Sequence, residues 1–191
     1  MDKFAAAVIT RFREYRSEKL KPLAEVCLHL GLNANYVPAL SLLAGLLAVY
    51  FVFQSYLLFL LFALLHLFFD SLDGVVASIP GKTTGGAYFD VGTDTFISFL
   101  LLLKVGWFLQ DYYVYIIAGL FFLAAVIHFL SCLEAPLLFT RTVGIAILSI
   151  ATFPAFPWIQ ELLTIGYLAA GIASVFSLAR QLQWKMMKRT G

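Results

Sequence analysis

The chain has 191 residues, of which 62% are apolar, 16% aromatic and 13% charged, with a mean hydropathy of +0.91 and a formal net charge of +2. Those proportions lie far outside soluble globular norms and exclude an ordinary water-soluble domain. They predict a single all-α integral membrane domain over residues 1–191, and no nucleic-acid interface.

The N-terminal 32 residues differ in kind from the rest. Phe4, Val8, Ile9, Phe12 and Tyr15 recur at near-helical spacing, while Arg11, Arg13, Arg16, Lys19 and Lys21 supply basic charge. The pattern predicts an interfacial amphipathic helix in a juxtamembrane segment, 1–32, suited to anionic lipid surfaces. It has no apolar h-region or small-residue cleavage site, so it reads as part of the mature protein.

Residues 33–183 read as a transmembrane core. A spanning helix needs about 20 mostly apolar residues, and six candidates follow in order: 35–53, 55–77, 87–109, 112–133, 137–155 and 158–180. They are separated by Gln54-Ser55, the Pro80-Gly81-Lys82 stretch, Gln110-Asp111, Glu134 to Pro136, and the Pro154 to Pro157 pair.

Lys and Arg placement orients them. Six lie before residue 22, Lys82 sits between the second and third spans, Arg141 follows the fourth, and four lie near the chain's end. The alternate loops carry none, so the positive-inside rule puts both termini on the cytoplasmic side. Lys104 departs from this pattern and is expected to snorkel toward the outer interface. Cys27 and Cys132 have neither CxxC spacing nor clustered histidines and read as packing residues.

Four of the six aspartates fall between residues 70 and 94, as Asp70-x2-Asp73-Gly74-x2-Ala77 and then Gly86-x3-Asp90-x3-Asp94, within apolar flanks. Residues at i, i+3 and i, i+4 share a helix face, so two successive helices each offer a carboxylate pair to one place. An aspartate at the centre of a spanning helix costs roughly 2.5 to 3.5 kcal/mol. Solvated loop acids are the plain alternative, and the apolar runs 57–69 and 96–103 argue against it.

Oxygen-only ligands suit Mg²⁺ or Mn²⁺ better than Zn²⁺, which recruits His or Cys. One or two such ions fit two carboxylate pairs. Magnesium takes substrate phosphates among its ligands, which points toward phosphoryl transfer on a phosphorylated or nucleotide-linked substrate. Gly74 and Gly86 leave room for a ligand against the backbone, or serve close helix contact.

These residues resemble the CDP-alcohol phosphotransferase family, whose motif is written D-x2-D-G-x2-A-R-x8-G-x3-D-x3-D. The match covers Asp70, Asp73, Gly74, Ala77, Gly86, Asp90 and Asp94. Six spans after an interfacial helix, and Gly31-Leu32-Asn33-Ala34-Asn35 leading into the first span, are also similar to that family.

The resemblance implies metal-dependent transfer of a phosphatidyl-type or other phospho-alcohol group from a CDP-linked lipid or CDP-alcohol donor to an alcohol acceptor. CMP is released. Asp70, Asp73 and Asp90 would chiefly hold metal, with Asp94 as a further metal ligand and the general base. Asp73, Gly74, Ala77, Ser78 and Gly86 would lie along the nucleotide. The acceptor would be a small or phosphorylated alcohol, the protein a homodimer. The chain departs from the motif at Ser78, which stands where the family carries arginine, and in the spacing from there to Gly86, seven residues instead of eight. Lys82 in that loop either supplies a compensating charge or is a plain solvated lysine.

Arg141, beside Thr140, is expected on the cytoplasmic side, where a guanidinium fork suits an acceptor phosphate; a lipid headgroup or a pair with Glu134 explains it as well. His66, four residues before Asp70, suits a hydrogen bond to a metal-bound carboxylate or a bond to a neighbouring helix. Two other functions use the same residues: a divalent-cation transporter, whose site would lie nearer the midplane, and a catalytically silent relative of the family, suggested by Ser78.

Overall fold

A computed structural model describes residues 36–76, 85–138 and 140–190, together with Lys19 and Pro22. Apart from Lys19 and Pro22, the segment 1–32 expected to form the interfacial helix, Cys27 included, lies outside the described residues, as do Ala77, Ser78 and Lys82. Among the described residues the protein is entirely helical: α1 (Tyr36–Phe51), α2 (Tyr56–Val76), α3 (Gly85–Leu109), α4 (Tyr112–Leu130), α5 (Arg141–Ala151) and α6 (Ile159–Thr190).

Each helix overlaps one expected span, and three contain stretches long and apolar enough to cross a membrane: Tyr88–Leu109, Tyr112–Leu130 and Ile159–Lys188. The apolar stretches Tyr36–Phe51, Tyr56–Leu72 and Arg141–Ala151 are shorter. At 1.5 Å per residue α5 covers only about 16 Å, against a hydrocarbon thickness of about 30 Å. The outer surface suits lipid, with Leu57, Leu130 and Ile172 all more than 70% exposed. A water-soluble protein does not display such a surface. These are the features of a membrane protein.

The connections explain the helix boundaries. Between α1 and α2 the Gln54 and Ser55 amides bond back to the Phe51 carbonyl at 2.9 and 3.0 Å. Between α3 and α4, Gln110 takes a left-handed φ of 52°, and Asp111 caps α4 by accepting from the Tyr113 amide at 2.9 Å. After α4, Cys132 and Leu133 are left-handed, and Pro136 cannot donate a helical hydrogen bond. The expected span 137–155 therefore becomes a helix only at Arg141, and the span expected to reach 133 ends at Leu130. α6 runs ten residues past its expected end at 180, carrying a basic stretch with it.

Side-chain contacts define two ends of the bundle. At one, Phe53 stacks on Phe108 with ring centroids 4.0 Å apart, and Tyr56 meets Phe153 edge-on. At the other, Arg141 reaches Asp70 and Asp94, and Lys188 pairs with Glu134 at 2.6 Å. Between them the core is built from Phe59, Ile97, Leu101, Val114, Phe121 and Leu163. α1 packs on α2 and α3, while α5 lies against α2, α3 and α6.

Candidate metal centre

Asp70 lies near the C-terminal end of α2, and Asp90 and Asp94 occupy the first turns of α3. The four-residue spacing sets Asp90 and Asp94 on one face of α3, and their carboxylates approach that of Asp70 on α2. Carboxylate oxygens of Asp70, Asp90 and Asp94 all fall within 4.8 Å of one another. Asp73 and Gly74 continue α2 beyond Asp70, and Gly86 lies in the first turn of α3.

Arg141, the first residue of α5, enters this cluster. Its Nη1 donates to Asp70 Oδ1 at 2.9 Å and its Nη2 to Asp70 Oδ2 at 2.7 Å, a two-pronged pair. Nη1 also donates to Asp94 Oδ1. The arginine side chain is 7% exposed, and the Asp70 and Asp94 side chains 17% and 19%. The pairing with Glu134 weighed from the sequence is not formed, because Glu134 binds Lys188.

His66 joins the cluster from behind. It is fully buried, and its Nδ1 lies 2.9 Å from the Ser41 carbonyl and 3.0 Å from the Ser41 hydroxyl. A carbonyl only accepts, so Nδ1 carries the proton. That leaves Nε2 as an acceptor, 3.4 Å from Arg141 Nη1. Ser41 Oγ donates in turn to the His66 carbonyl at 3.2 Å. His66 therefore touches the arginine that holds the carboxylates and is satisfied mainly by α1.

Ser41 was missed by sequence reasoning; a serine inside an apolar span was the signal available for it. Gly45, one turn further along α1, permits the approach. A Cβ there would lie 2.8 Å from Ile97 Cδ1 and 3.1 Å from His66 Nδ1.

A second polar network secures the connection leading to Arg141. The Ser131 hydroxyl donates to the His128 carbonyl and accepts from the Ala135 amide, Ser177 Oγ accepts from the Leu138 amide, and Gln181 Nε2 donates to the Ala124 and Pro136 carbonyls. Lys104 sits ten residues from Asp94 with its ammonium 5.1 Å from the centre of the Trp107 ring, a cation–π contact at the opposite end of α3.

The donor set fits a hard divalent cation. Among the described residues, three carboxylates face one another beside a single guanidinium, an acidic surplus that a cation would offset. All the carboxylate donors are oxygen, as Mg²⁺ and Mn²⁺ prefer. Comparison of the chain with protein-family models, curated proteins and solved structures finds no match to any of them.

Proposed function

We propose that the protein is a membrane-embedded, divalent-metal-dependent transferase of the CDP-alcohol phosphotransferase type. It would move a substituted phosphate group from a CDP-linked donor to an acceptor alcohol in the synthesis of a phospholipid or its head-group precursor. The observation that carries this reading is the meeting of Asp70, Asp90 and Asp94 within 4.8 Å, because those three belong to the motif on which the resemblance rests. Mg²⁺ or Mn²⁺ bound there would neutralise charge developing on the pyrophosphate.

The chain's own residues would do the rest. The acceptor oxygen attacks the phosphorus that bears the donor alcohol, and the bridging phosphorus–oxygen bond breaks with its electron pair leaving on CMP. Asp94 takes the hydroxyl proton. Arg141 holds Asp94 and Asp70 in fixed relation, which supports in-line geometry. Gly74, Ala77, Ser78 and Gly86 would lie against the nucleotide, with Lys82 nearby. Ser78→Arg is expected to tighten donor binding.

Six spans are part of the proposal, with α1, α2 and α5 completing the set and the remaining membrane depth met by tilt or local thinning. The end of the bundle bearing the aspartates, Arg141 and Lys188 would face the cytoplasm. The alternate connections, at Gln54, Gln110 and residues 152–158, carry no Lys or Arg. Homodimerisation belongs to the same reading.

The roles separate in one variant. Asp94→Asn is expected to abolish CMP release while a CDP-linked donor still binds in the presence of Mn²⁺; loss of donor binding together with turnover would make Asp94 a structural metal ligand instead of the base.

A further inference from the structure

Between α3, α5 and α6 runs a half-open groove of about 180 Å³ that the transfer chemistry described above does not use. Its walls are aliphatic, with Leu101 and Val105 from α3, Gly144 and Ile147 from α5, and Leu163 and Ala170 from α6. From Ser98 to Val105 the α3 wall extends about 10 Å. Val143, at the lip, is 60% exposed on the lipid-facing surface.

The polarity is one-sided. Ser98, Thr140 and Arg141 line one end, and among the described residues Arg141 is the only charged one on the lining. Ser98 sits one turn from Asp94 and donates to its backbone carbonyl at 2.8 Å. The same guanidinium that lines the groove binds the Asp94 carboxylate. Tyr167 stands toward the other end, its hydroxyl donating to Asp111 at the far end of the bundle. Asp70 and Asp90 border a different, smaller gap with Pro38, Ser41 and Thr93 on the α1 side. The groove thus approaches the cluster from the Asp94 side.

The geometry points to the groove as the seat of the acceptor's hydrocarbon chain, which makes the acceptor a lipid alcohol instead of a small soluble one. This rests on the transfer reading, in which Asp94 takes the acceptor's proton. An amphiphile matches the lining: its hydroxyl end lies among Ser98, Thr140 and Arg141, and its tail lies along Leu101, Ile147 and Leu163. A polyol or phosphorylated acceptor would leave polar groups unpaired against those walls. The open lip lets the chain enter sideways from the bilayer. After transfer, the lipid carries the new phosphodiester and stays in the membrane while CMP departs to water.

The test uses the full chain in nanodiscs and a diacylglycerol with a mid-chain diazirine. On illumination, adducts are expected to concentrate on the α5 and α6 walls, to be competed by unlabelled diacylglycerol but not by inositol phosphate, and to fall at least five-fold in Gly144→Leu. A Cβ at residue 144 meets nothing within 4 Å, so leucine fits there and fills groove volume; an unchanged melting temperature checks its fold. Adducts spread evenly around the apolar belt, or insensitive to Gly144→Leu, overturn the proposal. So does a groove shielded from the probe by a second copy of the chain.

CMP release, assayed in parallel with CDP-ethanolamine and CDP-diacylglycerol, separates the two readings. Stimulation by diacylglycerol supports the acceptor assignment. Stimulation by soluble alcohols alone, without groove labelling, overturns it and leaves the transfer reading intact. Groove labelling without CMP release from either donor upholds a chain-binding site but overturns both the acceptor assignment and the transfer reading.

Discussion

Arg141 and Asp70 join α5 to α2 through a two-pronged ion pair, Nη1 to Oδ1 at 2.9 Å and Nη2 to Oδ2 at 2.7 Å. Because Nη1 also holds Asp94, one guanidinium ties three helices together at the carboxylate cluster.

Removing that guanidinium leaves the aspartates facing one another. Breaking a buried pair by deleting one partner costs about 3 to 5 kcal/mol, and the partial exposure of Asp70 and Asp94 places the expected loss for Arg141→Ala near the lower end. Without a divalent cation the variant should melt well below the wild type. Saturating Mn²⁺ should raise its melting temperature by more than that of the wild type, since metal then supplies the missing positive charge. Equal metal-induced shifts would count against a shared site.

Gly45→Ala tests the approach of α1 to the site. The added Cβ would meet Ile97 at 2.8 Å and His66 Nδ1 at 3.1 Å, and overpacking of this kind costs about 1 to 3 kcal/mol. Ile97 lies three residues from Asp94 and His66 four from Asp70. Weaker Mn²⁺ binding should therefore accompany the lower melting temperature, measurable by titration in detergent.

Gln181→Leu removes the donor that bridges the Ala124 and Pro136 carbonyls. Leaving buried carbonyls unpaired costs about 1 to 3 kcal/mol. The expected signature is local: faster amide exchange across 131–140, the connection that delivers Arg141, with α1 and α2 unchanged.

Glu134→Gln provides the contrast. The Glu134–Lys188 pair is short, 2.6 Å, but its side chains are 55% and 61% exposed. Solvent screening holds such pairs to within about 1 kcal/mol, so the melting temperature should scarcely move.

The helices were legible because apolar runs separated by Gln54-Ser55, Gln110-Asp111 and the Pro154–Pro157 stretch define them locally. Three of the four expected carboxylates, Asp70, Asp90 and Asp94, do come together, since i, i+4 spacing fixes a helix face, while the side chain of Asp73 lies outside what is described. Other features depend on contacts that periodicity does not encode. Arg141 finds Asp70 across 71 residues of sequence, and His66 finds Ser41 across 25. The late start of α5 follows from Ser131, just past α4, and Ser177 and Gln181 of α6 pinning residues 135–138 in a non-helical course. The apolar groove belongs to three helices at once, and none of their sequences displays it alone.

What the carboxylate cluster does is read out by CMP release from a CDP-linked donor. Purified protein supplied with CDP-diacylglycerol or CDP-ethanolamine, Mn²⁺ and a mixed pool of soluble and lipid alcohols is expected to release CMP, to stop on chelation, and to lose at least a hundred-fold in rate in Asp90→Asn. A folded, Mn²⁺-binding protein that releases no CMP with any donor, or releases it equally in Asp90→Asn, would rule out metal-dependent transfer at this cluster.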